Sequence, residues 1–183
     1  MRSIYKIVVC SLLTLSITSC EKDLLEKEQY QKEIYLIGAY NRVWTTEVSY
    51  SNEEVKTYFT VSSSGTLALD RDVNVKMKIN EELVDIYNKK YWTVLNEDKY
   101  YKSLDTDLYS IPSLENTVIK HAEGISAEVP VLIKTASLKI DQSYVIPVEI
   151  ESTTGYPIST SGYKMLVLLK LKNEYSGSYQ MSG

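Results

Sequence analysis

Regular alternation of apolar and polar residues is the pattern that most constrains how this chain can fold. Between Val73 and Ile79, apolar residues occupy every second position and polar residues fill the positions between them. Successive side chains of a β-strand point to opposite faces, so this period places all the apolar side chains on one face. The segment therefore predicts a strand with one face in a hydrophobic core and the other in solvent.

Similar short runs elsewhere predict further strands, separated by turn residues such as those at 62–65. The run 163–172 is apolar on both faces, which predicts a central strand that is covered on both sides. Seven or eight strands with turn signals between them favour a mainly β, Greek-key β-sandwich. The other predicted strands are 34–37, 47–50, 55–61, 116–120, 127–134 and 144–150.

One segment has helical periodicity and interrupts the strands. Asn80 is a favourable N-cap, acidic residues follow it at the positive end of the helix dipole, and Lys89 and Lys90 lie near the negative end. Apolar and aromatic residues recur on one broad face of this segment. The pattern predicts one short helix at about 81–91.

The first twenty residues have the layout of an export signal. A basic start is followed by an apolar stretch that is too short to span a membrane, and Leu15 to Cys20 resembles the lipobox of bacterial lipoproteins. We therefore expect residues 1–19 to be a lipoprotein signal peptide and Cys20 to carry a lipid that anchors the chain to the outer membrane. An ordinary secretory signal and an N-terminal strand in the core are the alternatives.

The rest of the chain divides into three parts. Residues 20–32 are charged beyond Cys20 and lack strand alternation, so we expect a tether that holds the domain off the bilayer. Residues 33–173 are predicted to form the β-sandwich domain. Residues 174–183 are rich in Gly and Ser and are predicted to be a linker or the start of a second module that is absent.

Composition excludes several classes of function. The formal net charge is −4 with no basic cluster, so nucleic acid is not an expected partner. Removing residues 1–19 and lipidating Cys20 leaves no thiol for a disulfide, a thiolate metal site or a nucleophile. His121 is the only histidine, and its polar surroundings predict an exposed loop position. We expect neither a metal nor another cofactor.

Aromatic residues supply the candidate ligand contacts. The chain has 16 Tyr and two Trp, and aromatic rings suit both half-buried packing and sugar-binding surfaces. Trp92, Tyr100 and Tyr101 follow the predicted helix, and packing of the helix onto the sheet is the favoured interpretation for them. Trp44 lies in an apparent loop and is the best candidate for an exposed contact. These four residues are the candidate glycan-binding set.

Acidic residues give no catalytic signature. Asp70, Asp72 and Asn74 have the opening spacing of a calcium loop, but Val75 stands where an EF-type loop requires Gly, and the predicted strand would separate the ligands. A turn with solvated acids is the favoured interpretation. A glycosidase needs two acids across a cleft, and none of the 24 acidic residues lies in a recognisable motif. We predict that the chain is not an enzyme.

The order and spacing of several segments resemble the domain-of-unknown-function family 1735 (DUF1735), found at the N-terminus of surface lipoproteins in the Bacteroides group. Together the segments span about residues 34–177. They are 61–79 with Ser64-Gly65 and 69–75, Val84 to Asn88, Tyr100-Tyr101, Ile111-Pro112, Asp141 to Val148 and Asn173 to Gly177.

The resemblance implies an immunoglobulin-like domain without assigned catalytic residues. Family members typically pair it with a second, carbohydrate-active or carbohydrate-binding module. We therefore expect a non-catalytic module of a cell-surface lipoprotein that captures glycan or presents a glycan-active partner domain. The alternatives are a structural or adhesive lipoprotein that binds another outer-membrane protein, and a fragment of a glycoside hydrolase whose catalytic domain is absent.

Overall fold

Two β-sheets pack face to face in a computed structural model that describes residues 27–92 and 94–172. One short α-helix lies against the outer face of one sheet within these residues. The strands are β1 (Ile34–Leu36), β2 (Val43–Ser49), β3 (Glu54–Ser63), β4 (Val73–Ile79), β5 (Lys102–Ser103), β6 (Tyr109–Ser110), β7 (Thr117–Ile119), β8 (Ser126–Lys134), β9 (Tyr144–Thr153) and β10 (Lys164–Lys172), and the helix is α1 (Glu82–Tyr91).

The first sheet has the strand order β1-β3-β8-β6, and the second has the order β2-β10-β9-β4-β7 with β5 beside β9. Strands β2 and β10 are parallel, from Val43 beside Leu166 to Ser49 beside Lys172. The chain passes repeatedly from one sheet to the other, as in Greek-key sandwiches. The predicted class, an immunoglobulin-like β-sandwich with one short helix, is confirmed.

The hydrophobic core lies between the two sheets and contains the alternating residues of β4. Val73, Val75 and Met77 are almost completely buried, and the polar residues between them are exposed. Phe59 and Val61 of β3 enter the same core from the opposite sheet. The strand predicted from the alternation has the predicted bounds and the predicted inner face.

Strand β10 is covered on both faces, as its continuous apolar run predicts. Met165, Val167 and Leu169 lie in the core between the sheets. Leu166 points the other way and packs beneath α1 with Val145 of β9. The second face of this strand is therefore buried by the helix and not by another sheet.

Helix α1 begins one residue later than its predicted start. The residue directly before it is Glu81, whose side chain makes no capping hydrogen bond. The side-chain oxygen of Asn80 nevertheless accepts a hydrogen bond from the backbone N–H of Glu82 at 3.2 Å. Asn80 therefore satisfies one of the free N–H groups of the first turn, which is the role expected of an N-cap residue.

The predicted loop around Trp44 is wrong, because β2 begins at Val43 and includes this residue. Pairing with β10 extends β2 beyond the predicted segment 47–50, and such pairing is a long-range effect that local pattern does not reveal. The two-residue strands β5 and β6 were also missed. A segment of two residues is too short to show a period of any kind.

Candidate functional site

The segment after α1 is fixed to the helix by one buried amide side chain. Asn88 is 4% exposed. Its Nδ2 donates to the carbonyl oxygen of Tyr101 at 2.9 Å, and its Oδ1 accepts from the backbone N–H of Tyr101 at 3.0 Å. Because both backbone groups of Tyr101 are satisfied by one side chain, the chain at 100–103 is held alongside the helix.

Three tyrosines form an aromatic cluster on this part of the surface. The rings of Tyr87 and Tyr101 are stacked, with centroids 5.2 Å apart and an interplanar angle of 11°. Tyr91 lies 4.5 Å from Tyr87 on the next turn of the helix, and about half of its surface is exposed. Burial is the main cause that raises the pKa of Tyr87 to about 12, and the neighbouring Tyr101 is the second. The Tyr87 hydroxyl therefore keeps its proton at physiological pH.

A groove of about 560 Å³ runs between α1 and the segment 97–103. This volume is within the range of about 300–1,000 Å³ that is typical of small-molecule sites. The wall combines two aromatic rings with amide, hydroxyl and carboxylate groups. We call it the helix groove; its lining residues are Glu81, Glu82, Val84, Asp85, Asn88, Glu97, Tyr100, Tyr101, Lys102 and Ser103.

The charge of the helix groove is negative. Four of its lining residues are acidic, and Lys102 is the one basic residue among them. Ser103 adds a hydroxyl oxygen that is buried without a hydrogen-bond partner in the described part of the chain. The groove therefore offers several carboxylate and carbonyl acceptors beside aromatic surface, a combination that suits a neutral polyhydroxyl ligand.

A smaller cavity of about 60 Å³ lies between α1 and the start of β10. It is lined mainly by apolar side chains, including Leu83, Ile86 and Leu166. A volume of this size holds one or two water molecules and not a sugar ring. We therefore assign no ligand to it.

The structure brings Tyr100 and Tyr101 together at the helix groove. Tyr101 also packs α1 onto the second sheet with Leu166 and Val145, so the favoured packing interpretation is right for this residue. Trp92 follows the last residue of α1 and is partly buried. Its ring lies under the Lys99 ammonium at 5.7 Å, and its indole nitrogen has no partner among the described residues.

Trp44 does not belong to the helix groove. It pairs with Val167, whose side chain points into the core between the sheets, whereas the neighbouring Val43 packs towards the helix. Trp44 therefore lies on the core side of the second sheet, at the end of the sandwich, where its ring approaches Gly38. It is 36% exposed. Trp44 thus lies on the opposite face of the second sheet from Tyr100 and Tyr101.

The acids of the calcium-like spacing have separate partners. Asp70 forms a two-point ion pair with Arg71 and also accepts a hydrogen bond from Tyr156. Asp72 accepts from the backbone N–H of His121 at 3.0 Å and lies 2.7 Å from the ring nitrogen of that residue. These hydrogen bonds hold the pKa of Asp70 well below its usual range, and the one from Arg71 has the larger effect. His121 lies in an exposed turn, as predicted.

Over residues 27–92 and 94–172, no group of three or more His, Cys, Asp or Glu side chains could hold a metal ion. No helix in this range is long and apolar enough to cross a membrane. Cys20, the signal peptide 1–19 and the segment 174–183 lie outside the described residues. Their predicted roles stay predictions.

Sequence reasoning missed the residues that shape the helix groove, above all Asn88 and Tyr87. Asn88 is a polar residue within a helix, where exposure to solvent is the usual expectation. The available signal was its position one turn after Val84, on the face that carries the apolar residues. A polar residue on an apolar helix face marks a buried hydrogen bond, but its partner, Tyr101, is set by the tertiary fold.

Comparison with known proteins identifies relatives of the domain. A family model described as "-like, N-terminal domain" matches residues 30–157. No curated protein is similar enough in sequence to count as a match.

Three solved structures from Bacteroides have similar folds. A multidomain protein including DUF1735 from Bacteroides ovatus is 20% identical, with a TM-score of 0.57 over 75% of this chain and 43% of that one. An auxiliary nutrient binding protein from Bacteroides thetaiotaomicron is 17% identical, with a TM-score of 0.57 over 76% and 47%. EndoBT-3987 of the same species, solved with its Man5GlcNAc product, is 19% identical, with a TM-score of 0.54 over 75% and 30%.

Identities this low establish a shared fold and nothing further. The chain covers between 30% and 47% of the length of these three proteins. What each of them binds or hydrolyses is therefore a property of that longer protein.

Proposed function

The chain belongs to the family of this N-terminal domain and has a DUF1735-type fold, and on that premise we propose that it is the non-catalytic, glycan-binding module of a lipid-anchored surface protein. The observation that carries the proposal is the helix groove, in which Tyr100 and Tyr101 stand beside hydrogen-bonding groups. The nutrient-binding and Man5GlcNAc-bound neighbours support a role in glycan capture.

The chemistry of the groove fits a sugar. A pyranose has an apolar face that stacks on an aromatic ring and hydroxyl groups around its edge that need hydrogen-bond partners. The carboxylates of Glu82, Asp85 and Glu97 accept hydrogen bonds from such hydroxyls. Four acids against one lysine repel an acidic sugar. The proposed ligand is therefore a neutral glycan and not a uronic acid or sulfated glycan.

A glycan array probed with the purified full chain tests the ligand class. We expect signals from neutral oligosaccharides and weak or no signals from acidic ones. Acidic glycans that bind as well as neutral ones would contradict the charge argument. No binding to any glycan would leave a spacer that presents a partner domain and would refute glycan capture.

Substitutions locate the binding site. Tyr100→Ala should weaken binding of the best array ligand by roughly tenfold, equivalent to ~1.4 kcal/mol, because one stacking surface is removed. The matched control is Tyr58→Ala, since Tyr58 is 41% exposed on β3 of the opposite sheet. Calorimetric titration measures both. Equal affinities for the two variants would place the ligand outside the helix groove.

The anchor is tested separately. Cys20→Ala should move the protein from the membrane fraction to the soluble fraction and abolish labelling by a radioactive fatty acid, because the thiol is the lipid acceptor in the proposed processing. At least two chains are needed for stable anchoring. Unchanged fractionation of the variant would refute lipidation at Cys20.

A further inference from the structure

The segment before β1 is fastened to the loop that follows β3. The backbone N–H of Glu33 donates to the Ser64 hydroxyl oxygen at 2.9 Å, and the N–H of Ser64 donates to the carbonyl oxygen of Glu33 at 2.9 Å. The Ser64 hydroxyl also donates to the carbonyl oxygen of Gln31 at 3.1 Å. These reciprocal bonds fix the direction in which the chain enters β1.

A second set of contacts joins Glu28 and Lys32 to the same loop. The carboxylate of Glu28 accepts hydrogen bonds from the backbone N–H groups of Thr66 and Leu67 and pairs with the Lys32 ammonium. Lys32 in turn donates to the carbonyl oxygen of Leu67. We call residues 28–33 with 64–67 the N-terminal clamp. Part of the predicted tether 20–32 is therefore bound to the domain.

Gly65 makes this close approach feasible. Its φ of +113° is a conformation that L side chains rarely adopt, and a Cβ at this position would lie 2.8 Å from the Lys32 side chain and 3.1 Å from Glu28. Because Gly65 has no Cβ, the backbone of the loop can contact the side chains of Lys32 and Glu28 directly.

The N-terminal clamp and the exit of the chain lie at opposite ends of the sandwich. The clamp is at the end where β3 stops at Ser63 and the turn before β8 passes, since the Ser63 N–H donates to the carbonyl oxygen of Ile125. Strand β10 stops at Lys172, beside the end of β2 and the turn into β3. Strand β3 has ten residues, so the two ends are about 30 Å apart at ~3.3 Å per residue.

The helix groove lies towards the exit end. Its residues Lys102 and Ser103 pair with Tyr144 and Val145, where β9 begins. The opposite end of β9, at Thr153, pairs with Val75 near the start of β4 and thus near the clamp. The groove is therefore displaced along the strands away from the point at which the N-terminal segment is held.

We infer that the N-terminal clamp makes the module stand end-on at the bilayer, with the loop 64–67 facing the lipid and the helix groove and Lys172 held away from it. The inference rests on the proposed lipid at Cys20. Glu28 is the eighth residue after Cys20, so the two residues are at most about 29 Å apart. The clamp is therefore held within about 29 Å of the lipid-bearing residue, whatever path those residues take.

Charge favours this upright arrangement over one that lies flat. The chain is acidic, with a formal net charge of −4, and removing the signal would take away basic residues only. A negative surface is repelled by anionic headgroups. Electrostatic attraction therefore does not favour contact between a long face of the module and the bilayer. The short tether holds only one end of the module.

Energy transfer to the membrane tests the arrangement. Lipidation would leave the processed full chain without a free thiol, so a single introduced cysteine carries the donor dye: Glu123→Cys at the clamp end or Asn52→Cys at the exit end, both at exposed positions. The protein is reconstituted in vesicles with an acceptor dye on the headgroups. We expect the dye at 123 to lie about 30 Å closer to the acceptors than the dye at 52. Equal or reversed distances would overturn the inference.

Variants of the N-terminal clamp separate its role from that of the lipid. Glu28→Ala combined with Lys32→Ala should bring the two distances closer together, because the free tether then lengthens from eight residues to about eleven, as far as Gln31, whose carbonyl oxygen remains bound to Ser64. Tyr30→Ala is the matched control, since its side chain is 70% exposed within the same segment, and it should preserve the difference. An unchanged difference in the double variant would overturn the role of the clamp.

The lipid has its own readout. If fatty-acid labelling at Cys20 is absent, the proposed anchor fails and the inference falls with it. If labelling is present and the two dyes are equally distant, the inference alone is wrong. Thermal melts of every variant verify that the sandwich is folded.

Discussion

Asn88 uses both ends of its amide to hold the backbone of Tyr101, and the helix groove depends on this pair of hydrogen bonds. The residue is buried, and its loss would leave both backbone groups of Tyr101 without their partner. Glu28 has the corresponding role at the other end of the molecule, where its carboxylate accepts two backbone N–H groups of the loop 64–67. In both places one polar side chain fixes the position of a segment that lies outside the long strands and the helix.

Asn88→Ala should destabilise the domain by about 2–6 kcal/mol, because it leaves the N–H and the C=O of Tyr101 without their partner, at ~1–3 kcal/mol each. Urea denaturation followed by tryptophan fluorescence measures the change. Lys89→Ala, at the exposed neighbouring position of the same helix, is the control and should lie within ~0.5 kcal/mol of the parent. Similar midpoints for the two variants would contradict the proposed role of Asn88.

The N-terminal clamp should loosen in acid. The pKa of Glu28 is lowered from 4.5 to about 2. The largest cause is the hydrogen bond from the Lys32 ammonium, and the second is the hydrogen bond from the backbone N–H of Thr66. A carboxyl group whose pKa is lowered by folding stabilises the folded form fully above pH 4.5, and the contribution is lost as the pH falls towards 2. Hydrogen exchange at the Thr66 and Leu67 amides, corrected for intrinsic rates, should show protection that decreases over this interval. Glu28→Gln should remove the pH dependence, and a parent protein without it would contradict the assignment.

Helix α1 is the element whose docking creates the functional surface. It contributes Leu83 and Val84 to a small apolar cluster with Val145 and Leu166 of the sheet. The second face of β10 is buried only because the helix lies over it. Intrinsic helix propensity alone does not stabilise a ten-residue helix in water. Helix α1 therefore depends on its apolar contact with Val145 and Leu166 of the sheet.

Leu166→Ala should destabilise the domain by roughly 2–5 kcal/mol, since it removes a buried side chain and leaves a cavity under the helix. Leu95→Ala makes the same chemical change at a residue that is 94% exposed, and we expect almost no effect. Denaturation midpoints and the helical signal in circular dichroism measure both variants. A small loss for Leu166→Ala would mean that the helix docks without this cluster.

At the scale of the whole molecule, the second sheet separates the aromatic candidates. Tyr100 and Tyr101 lie beside the helix on its outer face, and Trp44 lies on the side of the core. The strands also set the two ends of the molecule, with the N-terminal clamp at one and Lys172 at the other. Sites on different faces act independently unless the fold itself changes.

Trp44→Ala should therefore leave the affinity of the helix groove for its glycan unchanged within about twofold, while Tyr100→Ala weakens it. The double variant should show the effect of Tyr100→Ala alone. Calorimetric titration of the three variants with the same oligosaccharide checks this. A loss of binding in Trp44→Ala with an unchanged melting temperature would place the ligand on the other face.

The sequence by itself determined the β-sandwich, the bounds of β4 and the helix to within one residue, because these depend on periodic patterns of neighbouring residues. It also identified β10 as a central strand from its two apolar faces. Only the tertiary structure decided that β2 reaches back to Trp44, that Asn88 holds Tyr101, and that Glu28 holds the loop 64–67. Each of these three contacts joins residues that are far apart along the chain or that belong to segments with different local sequence patterns. Local periodicity reports which face of an element is buried, whereas the partner across the interface is chosen by the packing of the whole chain.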